Sequence, residues 1–561
     1  MSYTPALGLN YMTVGSQSGS PRLAEAPQAA PHPARSSPPW LRALMPSITD
    51  IFFLLLLLGL AYGGLQTKLL GDAGTGWHIR DGQRILATHA FPRQDSFSYT
   101  MTGRPWFAWE WLYDLAAAAI YNRMGLNGVV FFSALLIAGV FAASFRIAVR
   151  RNRDPLLAAF LVVLAIFASS IHFLARPHLL TWALTLIFWG ILESATEPGH
   201  PASSRRLYWL PVLMLFWVNV HGGFLMGLAL IGLYFVGAAW ETFTAKLPEE
   251  RRRAKLAARQ LGMAGVLSLL ATFVNPYGYH LWVHIYEYLG NRFYMNNIQE
   301  FLSPNFHGAA EKFFAALLLF SLIGLAVRRS RLRASELLVI LFSVYMGLYA
   351  ARNIPIASIL LALTTTSLLA GAVENGAADE QLASRARSLL LRWKNFATRM
   401  ADMELGLKGH LLPLVAVAIT LVVCWNSGRL NGRQVMSAHF DSKRFPVRAV
   451  DFLATQDIHA QVFNPDYWGG YLIYRLGPGC KVFMDDRHDF YGEAFVRDYI
   501  KMKDIQPGWQ ALLEKQKVNW VLAPPDWALA NALKELPQWK VIYDDQQAII
   551  FARTKALTSS Y

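Results

Sequence analysis

GDAGTGWHIRDGQRILATHAFPRQDSFSYTMTGRPWFAWEWLYD, residues 71–114, is a polar stretch lying between two apolar ones. It carries Asp72, His78, Asp95, Glu110 and four arginines. The run before it, IFFLLLLLGLAYGGL (51–65), has mild flanks that extend it to the ~20 residues a bilayer crossing needs. A carboxylate at a membrane boundary is costly unless it has a partner or a task. Asp72 stands where the apolar run ends, among Gly71, Gly74 and Gly76. The stretch therefore reads as a site-bearing loop between membrane segments, and the rest of the chain is arranged around it.

The composition agrees with a membrane class. Of 561 residues, 54% are hydrophobic and only 16% charged, against about 25% charged in soluble domains. A signal peptide would account for one N-terminal apolar run, but this one begins some fifty residues in and many others follow. The net charge of +15 sits in short loops between apolar runs, which is a topology signal and excludes a nucleic-acid-binding face. Cys424 lies in an apolar run and Cys480 in the C-terminal part, so neither a disulfide nor a metal pair is expected.

Residues 1–45, rich in Pro, Ala and Ser, read as a disordered cytoplasmic tail. Candidate spans follow at 47–70, 128–148, 155–174, 178–195, 207–220, 222–240, 260–274, 313–327, 335–351, 354–372 and 410–426. The expectation is a mainly α, polytopic membrane protein of about eleven transmembrane helices over 46–426. Its first outer loop is 71–127, with residues 111–123 an amphipathic helix along the surface. The basic segments at 150–154, 246–259, 328–333 and 385–399 all fall on one side, which the positive-inside rule makes the cytoplasm. The N-terminus is then inside, and everything after 427 outside. Residues 427–561 alternate strand-like pieces (QVFNPDY, YLIYRL, KVFMDDR, NWVLAPP, WKVIYDD, AIIFAR) with helix-like ones (FVRDYIKM, WQALLEKQ, ALANALKEL). That pattern predicts a soluble, outward-facing α/β domain.

The unusual polar residues gather at the outer ends of spans: Asp72; Glu110 in PWFAWEWLYD; Arg176 and His178 in LARPHLL; Asn219 and His221 in FWVNVHGGF; Asn275 in VNPYGYHLW; Glu300 in NIQEFLSP; Arg352 and Asn353 in LYAARNIPI. If the spans bundle, these places converge on one outward cavity suited to an anionic, lipid-linked substrate. Carboxylates would bind a metal or activate a hydroxyl, and arginine would hold phosphate by a bidentate fork. Each has a plainer reading. Asp72 caps a helix starting at Thr75; Glu110 pairs with Arg104 or Arg84; His78 is structural; His221 before Gly222-Gly223 marks a packing turn; Arg352 is a snorkelling anchor. Asp485, Asp486, Arg487 and Asp489 in FMDDRHDFYG read as a charged turn, too dense for a calcium loop. No phosphate-cradling glycine loop, zinc pattern or nucleophile elbow is present.

The order of parts (N-in spans, a first outer loop opening on an acid and closing on a surface helix, a soluble outer C-terminal part) resembles the GT-C superfamily of membrane glycosyltransferases. Within it, GDAGTGWHIRDGQRIL, RPWFAWEWL, RPHLL, WVNVHGGF, NPYGYHLW and ARNIP resemble a bacterial membrane family described as glycosyltransferase-like. The resemblance covers roughly 48–555, and it is distantly similar to oligosaccharyltransferases and protein mannosyltransferases. It implies transfer of a sugar, with inversion, from a polyprenyl-phosphate donor to a glycan, lipid or protein acceptor outside the cytoplasmic membrane. It also implies Asp72 as base or metal ligand and Glu110 as a second acid, with Mg2+ or Mn2+ as the metal where one is used. Where an Asp-x-Asp pair is expected, this chain has Asp72-Ala73-Gly74. NPDYWGGYLIYR (464–475) is similar to the Trp-Trp-Asp-Tyr-Gly acceptor motif of oligosaccharyltransferases in a different order.

On this reading Arg352 and Arg176 meet the phosphate, Trp77, Trp106 or Trp109 stacks on sugar, and His78, His178, Asn219, His221, Glu300 and Asn353 line the site. The competing classes are a flippase or transporter of a lipid-linked or anionic substrate and a non-catalytic assembly protein. No internal repeat marks a transporter, and the polar residues lie at span ends rather than mid-span.

Overall fold

The protein is described here by a computed structural model covering residues 44–196, 205–329, 331–407, 409–455 and 461–554. The expected tail falls almost wholly outside the described residues.

Helix α1 (Ile48–Ala61) opens on a capping box in which the Ser47 hydroxyl accepts from Asp50 N and the Asp50 carboxylate accepts from Ser47 N. The chain then turns towards Asp72 and enters α2 (Gly74–Thr88). After an irregular segment, α3 runs over Trp111–Asn152. Gly125, at φ 59° and ψ −157°, breaks α3 in two. The expected surface helix is its first part, and the apolar second part ends on Arg150 and Arg151. α4 (Pro155–Ser169) starts on Asp154, whose carboxylate accepts from Leu157 N, with proline in the first turn.

The remaining helices are α5 (His178–Thr196), α6 (Trp209–Val218), α7 (Phe224–Thr244), α8 (Pro248–Ala271), α9 (His280–Gly290), α10 (Ala309–Val327), α11 (Ala334–Tyr349), α12 (Ile354–Ala378), α13 (Ser384–Gly406) and α14 (Leu411–Trp425). Each of the eleven expected apolar stretches lies largely within one of these helices. Six segments among the described residues are long and apolar enough to cross a membrane alone: Trp111–Asn152, Pro155–His172, His178–Thr196, Phe224–Thr244, Ala309–Val327 and Ala351–Ala378. α13 and α14, bent by 51°, make a further candidate together, while α1 and α11 are shorter. Length separates these classes: the 10 residues of α6 cover about 15 Å at 1.5 Å each. That is half of the roughly 30 Å hydrocarbon core. α12 is apolar and buried almost all round over Ile354–Thr366, as a central helix must be. Phe243, Leu322 and Leu414 instead stand exposed on outer faces.

The C-terminal part holds a four-stranded sheet of β1 (Val462–Phe463), β2 (Trp520–Ala523), β3 (Trp539–Asp544) and β4 (Ile549–Arg553) in the order β1-β2-β4-β3. β1 and β2 are parallel, and the other pairs antiparallel. Around it lie α15 (Val447–Thr455), α16 (Asp466–Leu476), α17 (Glu493–Lys503), α18 (Trp509–Lys515) and α19 (Ala528–Lys534). Two expected strands are corrected. YLIYRL belongs to α16, and KVFMDDR contributes only bridges at Val482. The reason is a close helix contact: a Cβ on Gly470 would sit 2.3 Å from Ala73 O, and one on Gly76 would sit 2.3 Å from Gly470 O. α16 therefore packs directly on α2 and buries GGYLI, so the run lacks the periodic polar face that betrays a helix.

The first loop is locked to this sheet. Val482 bridges both Val462 and Ser98, with Tyr99 N donating to Val482 O at 3.1 Å and Val482 N to Phe97 O at 3.0 Å. Arg487 pairs with Asp485 and Asp95 and lies 4.6 Å over the Trp106 ring. That docking carries residues 485–489 to the start of α2.

Candidate functional site

Asp72 and Arg176 form the first corner of the site. Asp72 Oδ1 accepts from Gly74 N at 2.7 Å, and its Oδ2 lies 3.1 Å from Arg176 Nη1. The expected N-cap role is corrected: the helix starts at Gly74 with Ala73 as its N-cap, and Asp72 instead accepts from the first helical N–H while joining the polar cluster. The same Nη1 is 3.6 Å from Asp486 Oδ2, whose other oxygen accepts from Trp77 Nε1 at 2.9 Å. Glycine is needed at 74: a Cβ there would meet Asp486 Oδ2 at 2.7 Å, Asp72 Oδ1 at 2.8 Å and Arg176 Cζ at 3.2 Å. Burial pushes the Asp486 carboxyl up, Arg176 pulls it down, and Asp72 adds to the push. Arg176 is itself held more firmly charged: burial opposes the charge, but Asp72, Asp486, Glu300 and Glu110 outweigh it.

The second corner is Glu110. Its Oε2 is 3.7 Å from His78 Nε2 and its Oε1 is 3.5 Å from His221 Nε2. Arg104 and Arg84, the partners considered from the sequence, bond elsewhere, to Tyr491 O and to Gln94 O with Ser96. Burial raises the Glu110 carboxyl to about 7, against the pull of Arg176 and Arg352. His221 falls to about 3, through burial first and then Arg352 and Arg176. His78 is fully buried and likewise kept neutral.

The third corner is Glu300 and Arg352, 3.3 Å apart. Burial works against the Glu300 charge, but Arg352 and then Arg176 hold its carboxyl at about 2. Mutual electrostatic influence among Asp72, Glu110, Arg176, His221, Glu300, Arg352 and Asp486 makes these corners one polar region.

Other expected residues take supporting places. Asn219 accepts from Trp111 Nε1 and donates to Leu215 O and Val274 O. Asn275 closes its own turn, and Asn353 bonds Met346 O. His178 Nε2 lies 2.9 Å from His172 O. Trp106 is covered by Arg487, while Trp109 stacks on His284 at 4.7 Å at the edge of a 290 Å³ cleft. The sequence reading passed over Asp486, Asp81, Asp114 and Thr181. For Asp486 the signal was present in FMDDRHD, and only the docking of the C-terminal sheet distinguishes it from a solvated turn.

A divalent cation does not fit these donors as they stand. Arg176 occupies the place between Asp72 and Asp486, and Glu110 faces imidazoles rather than Asp72. Among the described residues no group of three or more His, Cys, Asp or Glu side chains is gathered for a metal.

No protein-family model and no curated protein matches the sequence. Among solved structures, the archaeal oligosaccharyltransferase AglB from Archaeoglobus fulgidus, in complex with an inhibitory peptide and a dolichol-phosphate, superposes with a TM-score of 0.53 at 11% identity. The match covers 92% of this chain and 74% of that one. The chain shares the fold of this oligosaccharyltransferase. The apo form of the Archaeoglobus fulgidus oligosaccharyltransferase (TM-score 0.49, 11% identity, 91% and 74% of the chains) and ArnT from Cupriavidus metallidurans (0.44, 15%, 90% and 98%) also match. In this fold the three corners lie around the first loop, at the ends of α5, α7 and α12 and beside the C-terminal sheet.

Proposed function

We propose that the protein moves a sugar from a polyprenyl-phosphate-linked donor to an acceptor at the outer face of a bacterial cytoplasmic membrane, with inversion. The observation that carries this is Glu110 held between two neutral imidazoles, beside Arg176 and Arg352, next to the ends of apolar helices. A lipid-linked phosphate needs its binding groups at that depth. The oligosaccharyltransferase-like fold and the one-sided basic loops support the reading and its orientation.

Two carboxylates compete for the part of base. Asp72 is already engaged, one oxygen accepting from Gly74 N and the other lying against Arg176. Glu110 is raised towards neutrality, where a general base works best. We therefore assign the proton to Glu110, and to Asp72 the holding of Arg176. The acceptor hydroxyl attacks the anomeric carbon from the face opposite the phosphate. Its O–H bond breaks towards Glu110, a new C–O bond forms, and the sugar–phosphate C–O bond breaks. Arg176 and Arg352 neutralise the charge that grows on the leaving phosphate. No step runs through a metal. Incubating the purified full chain with polyprenyl-phosphate-linked sugars and a cell-envelope extract should release free polyprenyl phosphate. No release with any such donor would overturn the reading.

A further inference from the structure

Behind Glu110 lie buried polar groups that the transfer step does not use. His78, Asp81 and Asp114 are all fully buried. His78 Nδ1 is 2.5 Å from Asp114 Oδ1, while His78 Nε2 has no hydrogen-bond partner and faces Glu110 Oε2 at 3.7 Å. Asp114 accepts from His78 Nδ1–H, which leaves Nε2 bare towards Glu110. The close approach that creates this pair is at Gly82, where a Cβ would fall 1.9 Å from Asp114 O.

On the other side the tautomer is opposite. His221 Nδ1 receives Gly223 N–H at 3.0 Å and lies 2.8 Å from Thr181 Oγ1. Trp217 Nε1 donates to that same Oγ1 at 3.0 Å, so the Thr181 hydroxyl hydrogen goes to His221. A nitrogen taking two donors carries no proton of its own. His221 therefore presents Nε2–H to Glu110. Gly223 is fixed by this contact, since a Cβ there would lie 2.5 Å from Thr181 Oγ1 and 2.7 Å from His221 Nδ1.

We infer that Glu110 sits in a cradle with one accepting and one donating imidazole, each set from behind, by Asp114 and by Thr181 with Gly223. A neutral carboxylic acid satisfies both: its O–H points to His78 Nε2 and its carbonyl accepts from His221 Nε2–H. The carboxylate satisfies only His221. Glu110 stands 3.7 Å from His78 Nε2 and 3.5 Å from His221 Nε2, and such bonds tighten in a reacting complex. Asp114 and Thr181 are positioning residues. The catalytic use of the cradle rests on the transfer reading above, but the tautomers do not.

The test is the ¹⁵N spectrum of the full chain in detergent with labelled histidine, with His78→Gln and His221→Gln for assignment. Expected are His78 protonated at Nδ1 and bare at Nε2, and His221 the reverse. Asp114→Asn, whose amide donates to Nδ1, should turn the His78 tautomer over and leave His221 as it was. It should also lower kcat on the order of a hundredfold with KM unchanged. A proton on His78 Nε2 or on His221 Nδ1 in the wild-type chain overturns the cradle. The wild-type spectrum decides alone if Asp114→Asn does not fold. No sugar enters the measurement, so absent transfer with both tautomers as stated refutes the transferase and leaves the cradle standing.

Discussion

Asp72 and Glu110 open and close the same polar loop, yet the protein gives them opposite surroundings. Asp72 meets a guanidinium and a backbone N–H, and Glu110 meets two neutral rings. Both side chains keep a similar share of their surface open, 25% and 22%, so exposure does not divide them. Their partners do. A charged neighbour takes up the oxygens of a carboxylate and leaves none facing an acceptor hydroxyl. Neutral neighbours in a partly dry pocket leave it ready to take a proton.

This contrast breaks most sharply at Arg176. Arg176→Ala removes the cation between two carboxylates, so binding of polyprenyl phosphate should weaken about tenfold to a hundredfold, the worth of a charge-assisted hydrogen bond. The ion pair is partly exposed, so the accompanying loss of stability should be only about 1 kcal/mol. Isothermal titration and thermal unfolding read the two effects separately.

The pH profile comes next. With the Glu110 carboxyl at about 7, the base is neutralised as pH falls, so transfer should drop about tenfold per unit below 7 and level off above it. A rate that holds down to about pH 5 would show that Glu110 is not the base. Glu300→Gln should have the smallest effect, less than about threefold in donor KM, because it frees Arg352 from one partner without removing a donor. A larger change would mean that Glu300 itself meets substrate.

Much of this architecture is legible in the chain because membrane helices announce themselves by apolar length, and the eleven apolar stretches all fall in helices. The polar positions 72, 110, 176, 221, 300 and 352 stand out for the same reason, since each interrupts lipid-facing chemistry. Legibility fails where a meaning depends on what packs nearby. YLIYRL reads as a strand because the α2 contact at Gly76 and Gly470 is invisible along the sequence. Asp486 reads as a turn because only the pairing of Val482 with Ser98 brings it to Arg176. Asn219 and Asn353 look like ligand donors until their carbonyl partners in neighbouring turns are seen. Asp72 draws attention as the first acid after the first span, but its partner is Arg176, about a hundred residues away.

The central claim is tested most directly by measuring sugar transfer from a polyprenyl-phosphate donor by Glu110→Gln and Asp72→Asn side by side, at equal membrane levels and pH 8. The account predicts no product above background from Glu110→Gln, and a several-fold reduced but measurable rate, mostly through donor KM, from Asp72→Asn. Full activity in Glu110→Gln with a silent Asp72→Asn would contradict it and return the proton to Asp72.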